Sequence, residues 1–181
     1  MAAWTHIAHD TIIGGLPAVS VTWSSIPTDG TYDHLLVKVS ARTDKAGIFD
    51  PVRIQFNGDS TSGNYSNTYT YVGDTSVGGG QDDGENYIHH LYAACGGTTL
   101  ASTFGTAEIW IPNYANSANY KSVICGGTVN NNSNSGWDWV LTQLGGLWQD
   151  QSAITQIDLT TEGASKYQAY STFDLYGIKG A

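Results

Sequence analysis

The sequence predicts an all-β fold, an antiparallel β-sandwich of jelly-roll type, on three observations. Strand-length runs with apolar residues at every second position, or dense in β-branched and aromatic residues, recur along the chain. Gly, Thr, Ser and Asn fill nearly every gap between these runs, so no segment of ordinary helix length competes. Several runs carry one apolar and one polar face, the pattern of two sheets that close a core between their apolar sides.

Strands are expected first at residues 7–13 and 19–23. The next, His34–Arg42, places Leu35, Val37, Val39 and Ala41 on one face and Lys38, Ser40 and Arg42 on the other. Residues 52–56 alternate in the same way and run directly into Asn57-Gly58, the pair that a tight primed hairpin turn favours. Further strands are expected at residues 87–94, 106–111, 121–128, 137–144, 154–160 and 172–178. Three stretches break the rhythm: residues 59–67, 74–85 and 130–136. The Gly-rich run from Gly78 to Gly84 and the Asn/Ser run from Asn130 to Gly136 have too little apolar surface to offset the cost of ordering, and are expected as exposed loops at the ends of the sandwich. The closing strand offers Phe173, Leu175 and either Tyr176 or Ile178 to the core, which predicts no tail for targeting, anchoring or regulation.

A length of 181 residues fits one domain spanning positions 1–181. With 13% charged, 40% hydrophobic and 12% aromatic residues, the chain has the composition of a folding sequence. Seven basic residues against 16 acidic ones give a net charge of −9, which repels a phosphate backbone and argues against nucleic acid and anionic membrane as partners. The acidity reads as solubility and self-repulsion. Met1 to His6 lacks the basic and apolar regions of a signal peptide, and no apolar run approaches the roughly 20 residues needed to span a bilayer, so a cytosolic, soluble product is expected. Cys95 and Cys125 each open a Cys-Gly-Gly-Thr run. They are expected as free, buried thiols, a bridge between neighbouring strands being the alternative.

Chemistry-bearing residues are sparse. His89-His90 is the densest histidine group, but neighbours on a regular strand point to opposite faces and cannot chelate one ion. His6 and His9 point oppositely for the same reason, and His34 stands alone. Asp82, Asp83 and Glu85 lack the spacing of a calcium loop; they and the Asn57, Asp59, Asn64 group offer at most a weak cation site. No Gly-x-Ser-x-Gly elbow, His-Glu-x-x-His helix or phosphate-binding loop is present, and no acid pair for glycoside hydrolysis can be nominated from spacing. The expectation is therefore no enzyme, no catalytic residue, no metal and no cofactor. Trp137, Asp138, Trp139 and Trp148 remain as candidate glycan or interface contacts: indole faces stack on sugar rings and Asp accepts hydroxyl hydrogen bonds, while Trp is equally at home in a core or a subunit interface.

Ser25-Ile26-Pro27, the run from Thr31-Tyr32-Asp33 through Val37 to Arg42-Thr43-Asp44, Ile54 to Asp59, and Asn64-Tyr65-Ser66 together resemble a recurrent pattern in the small β-sandwich virion structural proteins of tailed bacteriophages. Ile109-Trp110-Ile111-Pro112-Asn113-Tyr114, Tyr120-Lys121-Ser122 and the closing run from Ser171 to Lys179 are similar to the same type. The resemblance extends from Ser25 to the C-terminus. It implies a non-enzymatic virion protein, foremost a capsid decoration or cement protein on the head exterior. The alternative is a tail, baseplate or fibre component that binds a host surface glycan. Implied partners are the major capsid protein or tail components and further copies of the chain, a trimer being one arrangement. The implied location is the virion, after synthesis in the host bacterial cytoplasm. The matched residues look like fold-makers: Pro27 and Tyr32 at a turn, Asn57-Gly58-Asp59 in a hairpin, Phe173 and Leu175 in the core. A glycan hydrolase or lyase on the same sandwich is the remaining, least supported reading, since the fold by itself implies no chemistry.

Overall fold

Period-two alternation governs how this chain buries itself. The computed structural model describes residues 3–14, 18–74, 76–131 and 139–180, and among them twelve strands form: β1 (Ala3–Thr11), β2 (Ser20–Trp23), β3 (His34–Arg42), β4 (Phe49–Phe56), β5 (Tyr65–Gly73), β6 (Ser76–Glu85), β7 (Ile88–Cys95), β8 (Gly105–Pro112), β9 (Lys121–Asn130), β10 (Trp139–Trp148), β11 (Ile157–Thr161) and β12 (Thr172–Lys179). They join one sheet in the order β2-β11-β4-β7-β3-β8-β9-β10-β5-β6, with β12 paired to both β3 and β1. The ladders are antiparallel except for a short parallel contact, Ala41 with Ala94 and Arg42 with Cys95, where β3 meets β7. The expected all-β, mostly antiparallel architecture is thus present. Its ladders form one continuous, unclosed sheet where two separate sheets were expected.

β3 holds the centre. It pairs along nearly its full length with β8 on one side and β12 on the other, and Leu35, Val37, Val39 and Ala41 are all buried, on the face that their alternation assigned. The main core gathers these with Val52, Ile54 and Phe56 of β4, Ile88 and Leu91 of β7, Ile109 and Ile111 of β8, and Phe173 and Leu175 of β12. β7 also lies against β9 and β10, with which it shares no ladder. Glycine permits that approach. A Cβ on Gly146 of β10 would stand 2.7 Å from the Ile88 side chain, and one on Gly127 of β9 would stand 3.0 Å from the Leu91 side chain. Cys95 and Cys125 are buried and unbridged, as expected.

One expected loop, residues 74–85, is for the most part a strand, and another, residues 59–67, gives way to a strand at Tyr65. Residues 65–73 and 76–85 form the β5–β6 hairpin, and Gly78 and Gly80 pair with Tyr71 and Tyr69. The tyrosine rings lie over the glycines, so that a Cβ on Gly78 would stand 2.5 Å from the Tyr71 hydroxyl and one on Gly80 2.9 Å from the Tyr69 hydroxyl. The apolar surface that the Gly run lacks is supplied by its neighbour, an arrangement that stabilises glycine in strands.

The turn at Asn57-Gly58 has both residues at positive φ, 54° and 66°, and Asp59 N–H donates to the Phe56 carbonyl at 2.9 Å. This matches a primed turn. It does not close a two-strand hairpin, because β4 pairs with β11 and β7. The Asn57 side chain instead clamps residues 153–156: its Oδ1 accepts from Thr155 N (2.8 Å) and Gln156 N (3.0 Å), and its Nδ2 donates to the Ala153 carbonyl (2.9 Å). These bonds occupy the chain ahead of β11, which starts at Ile157 and not at Ile154.

Candidate functional site

Among the described residues, the outer face of the sheet carries a row of large side chains that runs from buried Leu36 to exposed Trp4 and Ile124. Residues directly opposite one another in a ladder share a face, and His6, Tyr176, Leu36, Trp110 and Ile124 stand opposite one another in turn across β1, β12, β3, β8 and β9. Trp4 joins the row with its ring 6.2 Å from Tyr176. Trp4, Leu36, Trp110, Ile124 and Leu141 line a shallow groove of about 600 Å³, and Trp4 (58%), Ile124 (63%) and Leu141 (46%) are exposed to a degree unusual for their type. The rim is polar. Lys38 pairs with Glu108 at 3.2 Å and its ammonium sits 5.8 Å from the Trp4 ring centre. A contiguous apolar patch edged by charge is the form of a surface that meets another macromolecule.

The four nominated contacts separate. Trp137 and Asp138 lie outside the described residues. Trp139 and Trp148 open and close β10, nine steps apart, which at roughly 3.3 Å per residue puts them about 30 Å from each other. Their faces also differ, because an odd separation reverses the side of the strand. Trp139 is 38% exposed and shares the outer face with Leu141. Trp148 is 1% exposed, packs beside Phe56 and Tyr65, and donates its indole N–H to Asp59 Oδ2 at 2.7 Å. Trp148 is therefore a core residue with no face left for a sugar, a correction to its nomination as a contact. The partner carboxylate is engaged within the fold: Asp59 also accepts from Asn64 Nδ2 (2.8 Å) and Thr61 N (2.9 Å). Burial alone would raise its pKa, but these donors outweigh burial and hold it down at about 2.

The histidines do not split between faces as regular strands would require. The register of β1 against β12 shifts between His6 and Ala8. That irregularity lets His6 Nε2 (3.2 Å) and His9 Nδ1 (2.7 Å) reach the same oxygen, Asp174 Oδ1. In β7, His90 adopts a left-handed backbone, φ 65°, which breaks the alternation and brings its ring to 4.0 Å from that of His89, tilted by 34°. Both imidazoles then face Asp82 of β6, with His89 Nε2 at 3.5 Å and His90 Nε2 at 3.2 Å from Oδ2. Strand periodicity could not find either cluster, because each depends on a local departure from periodicity. The one available signal is that His is among the few non-Gly residues enriched at positive φ. His34 is structural: its Nδ1 accepts the Asn113 N–H at 3.1 Å and its ring lies 5.2 Å from Trp110.

Comparison of the chain with known protein families, curated proteins and solved structures finds no match.

Proposed function

We propose that this chain is a non-enzymatic structural protein of a tailed-phage virion, a capsid decoration or cement protein seated on the head exterior. The observation that carries this reading is the outer-face row of Trp4, Tyr176, Leu36, Trp110 and Ile124, continued by Leu141 and Trp139, an apolar surface with a charged rim. The resemblance of residues 25–181 to small virion proteins supplies the partner class, namely the major capsid protein and further copies of this chain. On this reading the unclosed sheet is a two-layer jelly roll, in which β7 and its neighbours β4, β11 and β2 cover the inner side of β8, β9 and β10. Many copies on one shell would let a modest contact per copy reinforce the particle. The reading assigns no cofactor and no catalytic residue. It places the protein in the virion after synthesis in the host bacterial cytoplasm, with neither nucleic acid nor membrane as a partner.

Cryo-electron microscopy of purified particles tests the proposal directly. The expected result is density for this chain on the head surface, with the Trp110 face against capsid or a neighbouring copy. Heads that lack the chain would sink it. Density at the tail tip or on a fibre would favour the second reading, a host-glycan binder, for which exposed Trp139 is the supporting residue. In that case Trp139→Ala should abolish binding to host polysaccharide without loss of fold. Release of reducing ends from that polysaccharide by the purified protein would overturn the non-enzymatic reading.

A further inference from the structure

We propose that Asp82, His89 and His90 form a binding site for one divalent transition-metal ion of the zinc class, which clamps the edge strand β6 to β7. The three donor atoms lie within 4.8 Å of one another. Ligands about 2.0–2.1 Å from a tetrahedral ion stand about 3.3 Å apart, and Asp82 Oδ2 is 3.5 Å from His89 Nε2 and 3.2 Å from His90 Nε2. Two imidazoles and one carboxylate suit zinc, cobalt or nickel. Calcium and magnesium prefer all-oxygen shells. The fourth position falls to water.

Four further features distinguish this cluster from a casual surface group. His89 Nε2 is buried and has no hydrogen-bond partner among the described residues; an orphaned buried nitrogen is costly unless something fills its lone-pair direction. The donors are held from behind. Asn67, 3% exposed, donates from Nδ2 to Asp82 Oδ2 at 3.0 Å and accepts the His89 backbone N–H on Oδ1 at 3.2 Å, so one amide fixes the carboxylate of β6 against the backbone of β7. On the far side of the His90 ring, Nδ1 meets the Tyr92 hydroxyl at 3.5 Å, and Tyr69 stacks on the ring face at 4.0 Å. Partners of this kind orient metal-bound imidazoles. Finally, a non-Gly residue at φ 65° costs backbone energy, a strain found where function needs it.

The surroundings agree. Burial first, and the neighbouring His90 second, disfavour the charged form of the His89 ring. Glu85 adds negative charge nearby, and the opposing Arg53 guanidinium is engaged on the Tyr87 ring at 4.2 Å. β6 and β7 share no ladder, so the ion would join directly two strands that the Asn67 side chain otherwise bridges.

The test is isothermal titration of the full-length, chelator-treated protein with zinc chloride, paired with thermal unfolding and with cobalt(II) absorption as a reporter of tetrahedral geometry. One ion per chain, a raised melting temperature and a tetrahedral cobalt spectrum are expected. His90→Gly removes a donor while accepting the positive φ, so it should stay folded and bind zinc at least tenfold more weakly. Asp82→Asn should do likewise, and His9→Ala should bind as the unaltered protein does. Absence of binding by the unaltered protein overturns the proposal. So does binding that survives His90→Gly and disappears in His9→Ala, which would move the ion to the His6, His9, Asp174 cluster.

Discussion

Asp59 receives three hydrogen bonds, from the Trp148 indole, the Asn64 amide and the Thr61 backbone, and its depressed pKa makes this network a pH-dependent part of the fold. A carboxylate whose folded pKa lies below its ordinary 3.8 contributes stability that is complete above that value and is lost as the pH falls toward about 2. Discounted for the solvent that reaches the group, the contribution is on the order of 1–2 kcal/mol. Trp148→Phe keeps an aromatic ring in the core and removes the donor, so urea unfolding at neutral pH should show a loss of about 1.5–3 kcal/mol, the value of a hydrogen bond to a charged group. The gap between variant and parent should narrow as the pH approaches 2. A gap that stays constant with pH would mean that ring packing, and not the carboxylate, carries the effect. At this scale the sequence signals a large aromatic at position 148 but not its direction, since parity along β10 turns Trp148 inward and Trp139 outward.

The β5–β6 hairpin shows where reading by element succeeds and where it stops. β3 is legible to the residue, because Leu35, Val37, Val39 and Ala41 carry their own burial signal. β6 is not legible, because Gly78 and Gly80 have no side chain to signal anything and their cover comes from Tyr71 and Tyr69 on the paired strand. The histidine clusters fail for a related reason: a register shift in β1 and a left-handed residue in β7 have no periodic signature. If the tyrosines hold the glycine strand, Tyr71→Ala should cost roughly 0.2–1 kcal/mol, the range of a cross-strand pair. The loss should be local. Amide exchange across Ser76–Glu85 should accelerate while the β3 amides keep their protection. Equal acceleration in β3 would show that Tyr71 supports the whole core and not the edge.

At the scale of the molecule, the two strands nearest the chain ends are unequal, although the sequence presents both as alternating runs. Among the described residues β1 pairs with β12 alone and is largely exposed, whereas β12 is laddered on both sides, to β1 and β3. Phe173 and Leu175 are fully buried and Ile178 is 5% exposed. Deleting residues 173–181 therefore uncovers one edge of β3, strips β1 of its ladder with β12 and exposes the apolar residues that faced the lost strand. At ~1.5–3 kcal/mol for each large side chain, the three together represent roughly 5–9 kcal/mol, comparable with the whole stability of a domain, ~5–15 kcal/mol. Deleting residues 1–9 removes mostly exposed side chains and one ladder, and leaves Asp10 to accept the Trp23 indole hydrogen bond. The expected outcome is a soluble N-terminal truncation with a native β-type circular dichroism spectrum and a cooperative melt, against an insoluble or unfolded C-terminal one. A soluble, cooperatively melting protein without residues 173–181 would show that the contacts of β3 with β8 suffice to hold the core, and would make β12 and β1 a detachable pair.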